Sequence, residues 1–170
     1  MRSISTFTKV LDATSEWSGK IFAWTIVPLT LLVTYEVISR RVFNAPHIWS
    51  FEIIVMLYGF HFTMVAAYTL YHKRHVNIDV ILNRFPPKAK TVIEILGYLL
   101  FFFIFTSAIL IFGFHFAKIS WLTHEASETT FGPPLYPIKT VVPVVAFLLI
   151  LQGISGFTKK LVFLIKGVEL

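Results

Sequence analysis

Apolar and polar positions along this chain fall into long blocks. Residues 21–35, 53–72, 95–117 and 140–158 contain no Asp, Glu, Lys or Arg. A bilayer core about 30 Å thick takes roughly 20 helical residues to cross, and the last three runs, of 20, 23 and 19 residues, meet that length directly. The first run, of 15 residues, reaches it if the helix accepts Glu36 near one end and continues through Val37, Ile38 and Ser39. The pattern predicts an all-α integral membrane protein with four transmembrane helices over 20–39, 49–71, 93–117 and 138–158.

Ahead of the first span, Ile4, Phe7, Val10, Leu11, Thr14 and Trp17 recur at three- and four-residue intervals, opposite Lys9, Asp12 and Glu16. This spacing predicts an interfacial amphipathic helix over 1–19, lying in the head-group plane with its apolar face down. A frayed cytoplasmic tail is the alternative reading. Pro28 and Pro143 fall inside the first and fourth spans, where each removes a backbone donor and can kink its helix. The loop 118–139 carries Trp121, Gly132, Pro133, Pro134, Tyr136 and Pro137, a turn-rich and interface-seeking set that predicts an ordered loop at the membrane surface. A Gly-Phe-His-Phe string occurs at 59–62 and again at 113–116, and with 18 Phe in the chain it is read as coincidence rather than repeat.

Composition agrees with lipid as the solvent: 56% hydrophobic residues, 16% aromatic and a mean hydropathy of +0.75. Too little is left between spans for a separate water-soluble domain, so residues 1–170 read as one membrane domain. The net charge of +6 would suggest nucleic acid in a soluble protein. Here the basic residues flank spans, where they set orientation and meet anionic lipid head groups, and nucleic acid is excluded as a partner. With both termini inside, the cytoplasmic side holds eleven Lys and Arg and the outer side four, so the positive-inside rule predicts an N-in, C-in topology. The chain has no cysteine, which excludes disulfides, thiolate metal sites and Cys nucleophiles. The first apolar run starts about 20 residues in and is followed by Arg40-Arg41 without a small-residue cleavage pattern, so the first span is expected to be retained.

Ionisable groups inside or at the ends of spans are the candidates for function, because burial in lipid is costly without a partner. Glu36 stands four residues before Arg40, the order that favours a helical ion pair. Glu52 opens the second span on the same outer side. Glu36, Arg40, Arg41 and Glu52 are expected to form one neutralised cluster, which either closes the helix hairpin or serves a partner. Six histidines raise a bis-His haem site between helices. Depth opposes it, since His61 lies roughly 18 Å below the outer surface and His115 roughly 5 Å. No carboxylate occupies the middle of a span, and no Ser/His/Asp, carboxylate-pair or Gly-rich phosphate motif occurs, so neither an active site nor a cofactor is expected.

Two strings are more specific. Arg40-Arg41-Val42-Phe43-Asn44-Ala45-Pro46 with Trp49 and Glu52 crosses the outer hairpin, and His75-Val76-Asn77-Ile78-Asp79-Val80 with Pro86-Pro87 follows the second span. Together they resemble the small permease subunit of TRAP transporters, the DctQ-like family. His72-Lys73-Arg74 departs from the glycine common there in relatives. The resemblance implies a tripartite, sodium-driven uptake system for organic acids. In it a periplasmic substrate-binding protein delivers cargo to a large transporting membrane subunit, and the small inner-membrane subunit braces that large subunit. Arg40, Trp49 and Glu52 are expected to organise the outer hairpin and His75 and Asp79 to fix the start of the inner loop; Glu36, Arg41 and Asn44 are further candidates for a structural or partner interface, and the outer loop around His124, Glu125 and Glu128 is a candidate contact for the binding protein. The alternative from another class is a haem- or quinone-binding membrane anchor of a respiratory enzyme.

Overall fold

The computed structural model describes residues 2–72 and 85–167. Within them the chain is helical throughout its spans, and the one strand-like pairing is a bridge between Ala126 and Pro134. The helices are α1 (Arg2–Ala23), α2 (Ile26–Val42), α3 (Ile48–Met64), α4 (Ala66–Tyr71), α5 (Pro87–Gly97), α6 (Phe103–Leu122) and α7 (Tyr136–Lys166). A π-helical turn, Tyr98–Phe102, joins α5 to α6. Four helical stretches are long and apolar enough to cross a membrane: Ile4–Val42, Ile48–Tyr71, Pro87–Leu122 and Tyr136–Lys166.

The interior is unlike that of a soluble bundle. Its largest fully buried side chains are Thr8, Ser15, Ser50, Ser120 and Ser155, while Phe101, Phe105, Phe112, Leu31 and Ile165 stand outside. Lipid supplies no hydrophobic force between helices, so small residues that let backbones approach, and hydroxyls that bond locally, line the contacts. Exposed apolar surface on this scale belongs to a chain covered by lipid or by other membrane chains.

The most extensive pairing is α6 on α7. At its tightest point a Cβ added to Gly113 would lie 3.0 Å from Val142 Cγ1 and 3.4 Å from Pro143 N. Gly59, the glycine of the other Gly-Phe-His-Phe string, has nothing within 4 Å of that position, so the two strings do unrelated work. The π turn aims Tyr98 and Phe102 at α7, where Gly156 and Gly153 leave room for them. Helix α7 runs unbroken through Pro143. Pro28 sits in the first turn of α2, where a missing N–H costs nothing, and the chain turns just before it, at Trp24 and Thr25.

Helix α1 corrects the expected arrangement of faces. Asp12, expected on the outward polar face, is buried together with Thr8, Leu11 and Ser15, and this side packs on α4 and α7. Phe7, Val10, Trp17, Ile21 and Trp24 are exposed. The physical reason is that a buried carboxylate with several partners holds a helix to a bundle better than an apolar side chain that lipid solvates equally well.

Candidate functional site

The hairpin between α2 and α3 is built around Glu36. Its position four residues before Arg40 brings the Arg40 Nε to Glu36 Oε1 at 2.5 Å, as the spacing predicts. Asn44 then takes a left-handed conformation with φ of 50°, which Asn tolerates better than most residues, and Pro46 favours an extended Ala45 before it. Ser39 Oγ donates to Ala45 O at 2.6 Å, and Ala45 N donates to Ser39 O at 3.1 Å. This short return folds His47 back over the last turns of α2. Its backbone N–H donates to Glu36 Oε1 at 3.2 Å, and its Nδ1 lies 3.1 Å from Glu36 Oε2.

Because a carboxylate can only accept, Nδ1 is the donor in this contact, while Nε2 lies 3.4 Å from Tyr35 Oη. The His47 ring stacks on Tyr35 at 5.4 Å and lies 5.7 Å from the Trp49 ring. Ser50 Oγ donates to His47 O at 2.9 Å in the first turn of α3. Glu36 is thus a buried anion held by a guanidinium, a backbone amide and an imidazole. It ties the last turns of α2 to the start of α3.

Of the residues expected in this cluster, Glu36, Arg40, Asn44 and Trp49 come together. Arg41 is exposed. Glu52, half-buried on α3, makes no ion pair with Arg40 or Arg41, and its Oε2 is shielded with no hydrogen-bond partner. His47, Tyr35 and Ser39 complete the cluster, and sequence reasoning did not pick them out. The available signal was the short Phe43–His47 return, which places the residue after Pro46 over the preceding turn.

Beside the hairpin an apolar cleft of about 380 Å³ opens between α3 and the start of α7, lined by Ile53, Met56, Leu57, Phe60, Pro134, Pro137, Ile138 and Val141. The loop between α6 and α7 is ordered. Glu125 sits 2.5 Å from Lys139 Nζ through both oxygens, and the ammonium holds this carboxyl below its ordinary range. Leu135 N donates to Glu125 O at 2.9 Å, Ser127 N to Pro133 O at 2.9 Å, and Trp121 Nε1 to Thr140 Oγ1 at 2.8 Å. Glu125 is therefore engaged within the loop. His124 and Glu128 are exposed, and the His124 ring meets Tyr136 edge-on at 6.2 Å.

A second polar cluster, also missed by sequence reasoning, joins α1 to α7. Asp12 Oδ1 accepts from Ser155 Oγ at 2.7 Å and Gln152 Nε2 at 3.2 Å, and its Oδ2 meets Lys159. The neighbouring Lys160 reaches Glu94 of α5. His61 is also engaged inside the bundle, with Nδ1 2.8 Å from Thr25 Oγ1 and 3.3 Å from Phe22 O. His75 and Asp79 lie outside the described residues.

Four spanning rods, a small-residue interior and polar clusters that tie helices together define a multi-pass membrane protein whose conspicuous chemistry is structural. The family described as tripartite ATP-independent periplasmic transporters, DctQ component, matches residues 29–162, and the chain belongs to it. It is accordingly a small inner-membrane subunit of a TRAP transporter, a transport component rather than an enzyme. No curated protein matches the chain significantly.

Proposed function

We propose that this chain is a scaffold: it braces the large transporting membrane subunit of a sodium-coupled uptake system for organic acids and helps to receive the periplasmic substrate-binding protein. The supporting observation is the openness of α2. This helix packs chiefly on α3, with Leu29, Glu36 and Ser39 turned inward, while Ile26, Val27, Leu31, Val33, Tyr35, Val37, Ile38 and Val42 stand exposed. Successive helical residues turn by about 100°, so the exposed set covers well over half of the helix. A rod fixed at one end by Glu36 and otherwise open suits a wall against which a larger subunit packs. Glu36, Arg40, Asn44 and Trp49 set that wall's outer edge, and the exposed His124 and Glu128 are placed to meet the binding protein.

The topology is N-in, C-in. Helix α1 then lies at the cytoplasmic interface, and its three faces support this. Thr8, Leu11, Asp12 and Ser15 turn to the bundle, Lys9, Glu16 and Lys20 occupy a charged edge, and Phe7, Val10, Trp17 and Ile21 form an apolar seam beyond. Such a division places head groups, acyl chains and protein on three sides of one helix. Reconstitution tests the assignment. Proteoliposomes holding both membrane subunits, supplied with the binding protein and an inward sodium gradient, should accumulate an organic acid. Omitting this chain should abolish uptake, and uptake that persists without it, or that occurs with this chain alone, would contradict the scaffold role.

A further inference from the structure

The chain holds one glutamine, Gln152, and its side chain is only half satisfied. Its Nε2 donates to Asp12 Oδ1 at 3.2 Å, while its Oε1 is shielded from solvent and no donor among the described residues reaches it. Turning the amide over does not help. It would set Oε1 against the Asp12 carboxylate, which can only accept, and would leave the NH2 group without an acceptor. A buried acceptor without a donor is uncommon in a folded protein and calls for a partner.

The surroundings select that partner. Gln152 is 4% exposed, with Thr8 and Ser155 buried beside Asp12, so neither a side chain of another molecule nor a lipid head group can reach its oxygen. The Asp12 carboxylate is already engaged: its Oδ1 accepts from Ser155 Oγ at 2.7 Å and its Oδ2 meets Lys159. Carboxylate and ammonium cancel each other, so a cation would gain no net attraction there and would stand beside Lys159. What fits is small, uncharged and able to donate. Water meets all three conditions.

We infer that a buried water molecule is bound at the joint between α1 and α7, where it donates to Gln152 Oε1 and completes the network of Asp12, Gln152 and Ser155. A water so placed typically makes about three hydrogen bonds, and the Asp12 carboxylate and Lys159 ammonium are the neighbouring groups that can supply the others. Supply from the membrane surface is open. Ser155 lies roughly 28 Å along α7 from Tyr136, close to the ~30 Å of a hydrocarbon core, so the cluster sits at the level of the membrane boundary. The Lys159 side chain, 30% exposed, runs from the cluster to that surface. Helix α1 is then fastened to α7 partly through a link that exchanges with solvent.

Because Gln152 is the sole glutamine, glutamine labelled with 13C at Cδ and 15N at Nε2, added during cell-free synthesis, places a probe on this side chain alone. The full chain is then reconstituted in lipid nanodiscs. In isotope-edited infrared spectra the labelled carbonyl stretch should lie at the lowered frequency of a hydrogen-bonded amide. In NMR spectra the Nε2 protons should show a cross-relaxation peak at the water frequency, with the sign of a long-lived contact. That peak should persist in Ser155→Ala, which removes the neighbouring hydroxyl as its source, and unchanged elution verifies that the variant is folded. A carbonyl stretch at the free-amide frequency, no water peak in the wild-type chain, or loss of the peak in folded Ser155→Ala would each overturn the inference. Signals that shift when sodium in the buffer is replaced by choline would assign a cation to the site and overturn it as well.

Discussion

Ser155 Oγ of α7 donates a 2.7 Å hydrogen bond to Asp12 Oδ1 of α1, across 143 residues of sequence. Both residues are buried, Ser155 completely. Asp12 also gathers Gln152 and Lys159, so one carboxylate satisfies three donors from a single face of α7. Replacing it by Ala leaves those donors without their acceptor, at a cost of about 1–3 kcal/mol for each buried group so orphaned. Asp12→Ala should therefore lower the melting temperature in detergent and raise amide exchange across residues 2–23. Asp12→Asn, which keeps an acceptor for Ser155 but not the charge for Lys159, should fall between. Exchange in α1 that does not change in Asp12→Ala would show that the cluster does not hold the helix.

Gly19 faces Tyr68 with no room to spare. A Cβ added there would lie 2.2 Å from Tyr68 Cβ and 2.3 Å from Cγ, too near the backbone for a rotamer change to relieve. Gly19→Ala should destabilise by about 1–3 kcal/mol, the range for overpacked contacts. Gly59→Ala, with open space around it, should be neutral or stabilising because Ala is the better helix former. Thermal unfolding of the two variants in one detergent makes the comparison, and equal melting temperatures would contradict the packing described.

The seam on α1 can be located in depth. A chain keeping Trp17 alone, with Trp24, Trp49 and Trp121 changed to Phe, should show fluorescence quenched most by lipids brominated near the head group. Quenching greatest with bromine near the acyl terminus would place α1 across the membrane instead.

Acid should loosen the loop between α6 and α7 before the bundle. Lys139 lowers the Glu125 carboxyl below its ordinary value of 4.5. A carboxylate with a depressed folded value contributes stability that is fully present above the unfolded value and is lost as pH falls through the folded one. Trp121, bonded to Thr140, the residue next to Lys139, should report the change as a fluorescence transition below about pH 4.5. Glu125→Gln should remove that transition while leaving the emission at neutral pH closer to the acid form.

Much of this architecture was legible in the chain because its signals are local. Charge-free runs of 15 to 23 residues mark the spans, and the Glu36–Arg40 pair follows from a spacing of four. What escaped depends on tertiary placement. His47 reaches Glu36 only because Asn44 and Ala45 turn the chain back. Asp12 and Gln152 carry no mutual signal across 140 residues, and amphipathic spacing alone could not say whether protein, lipid or water covers each side of α1. The π turn at Tyr98–Phe102 likewise has no Gly or Pro within it to mark it, and Gly97 just before it keeps ordinary helical geometry. Proximity in sequence places Glu52 in the neutralised cluster, whereas in the structure it makes no ion pair with the arginines of α2.

The central claim is that this chain works as one half of a membrane pair. Native mass spectrometry of the tagged chain, released from its own membranes in mild detergent, tests it most directly. A one-to-one complex with a much larger multi-span protein, colourless in the visible range, is the predicted result. The chain alone as an oligomer, or a coloured complex with redox-enzyme subunits, would contradict it.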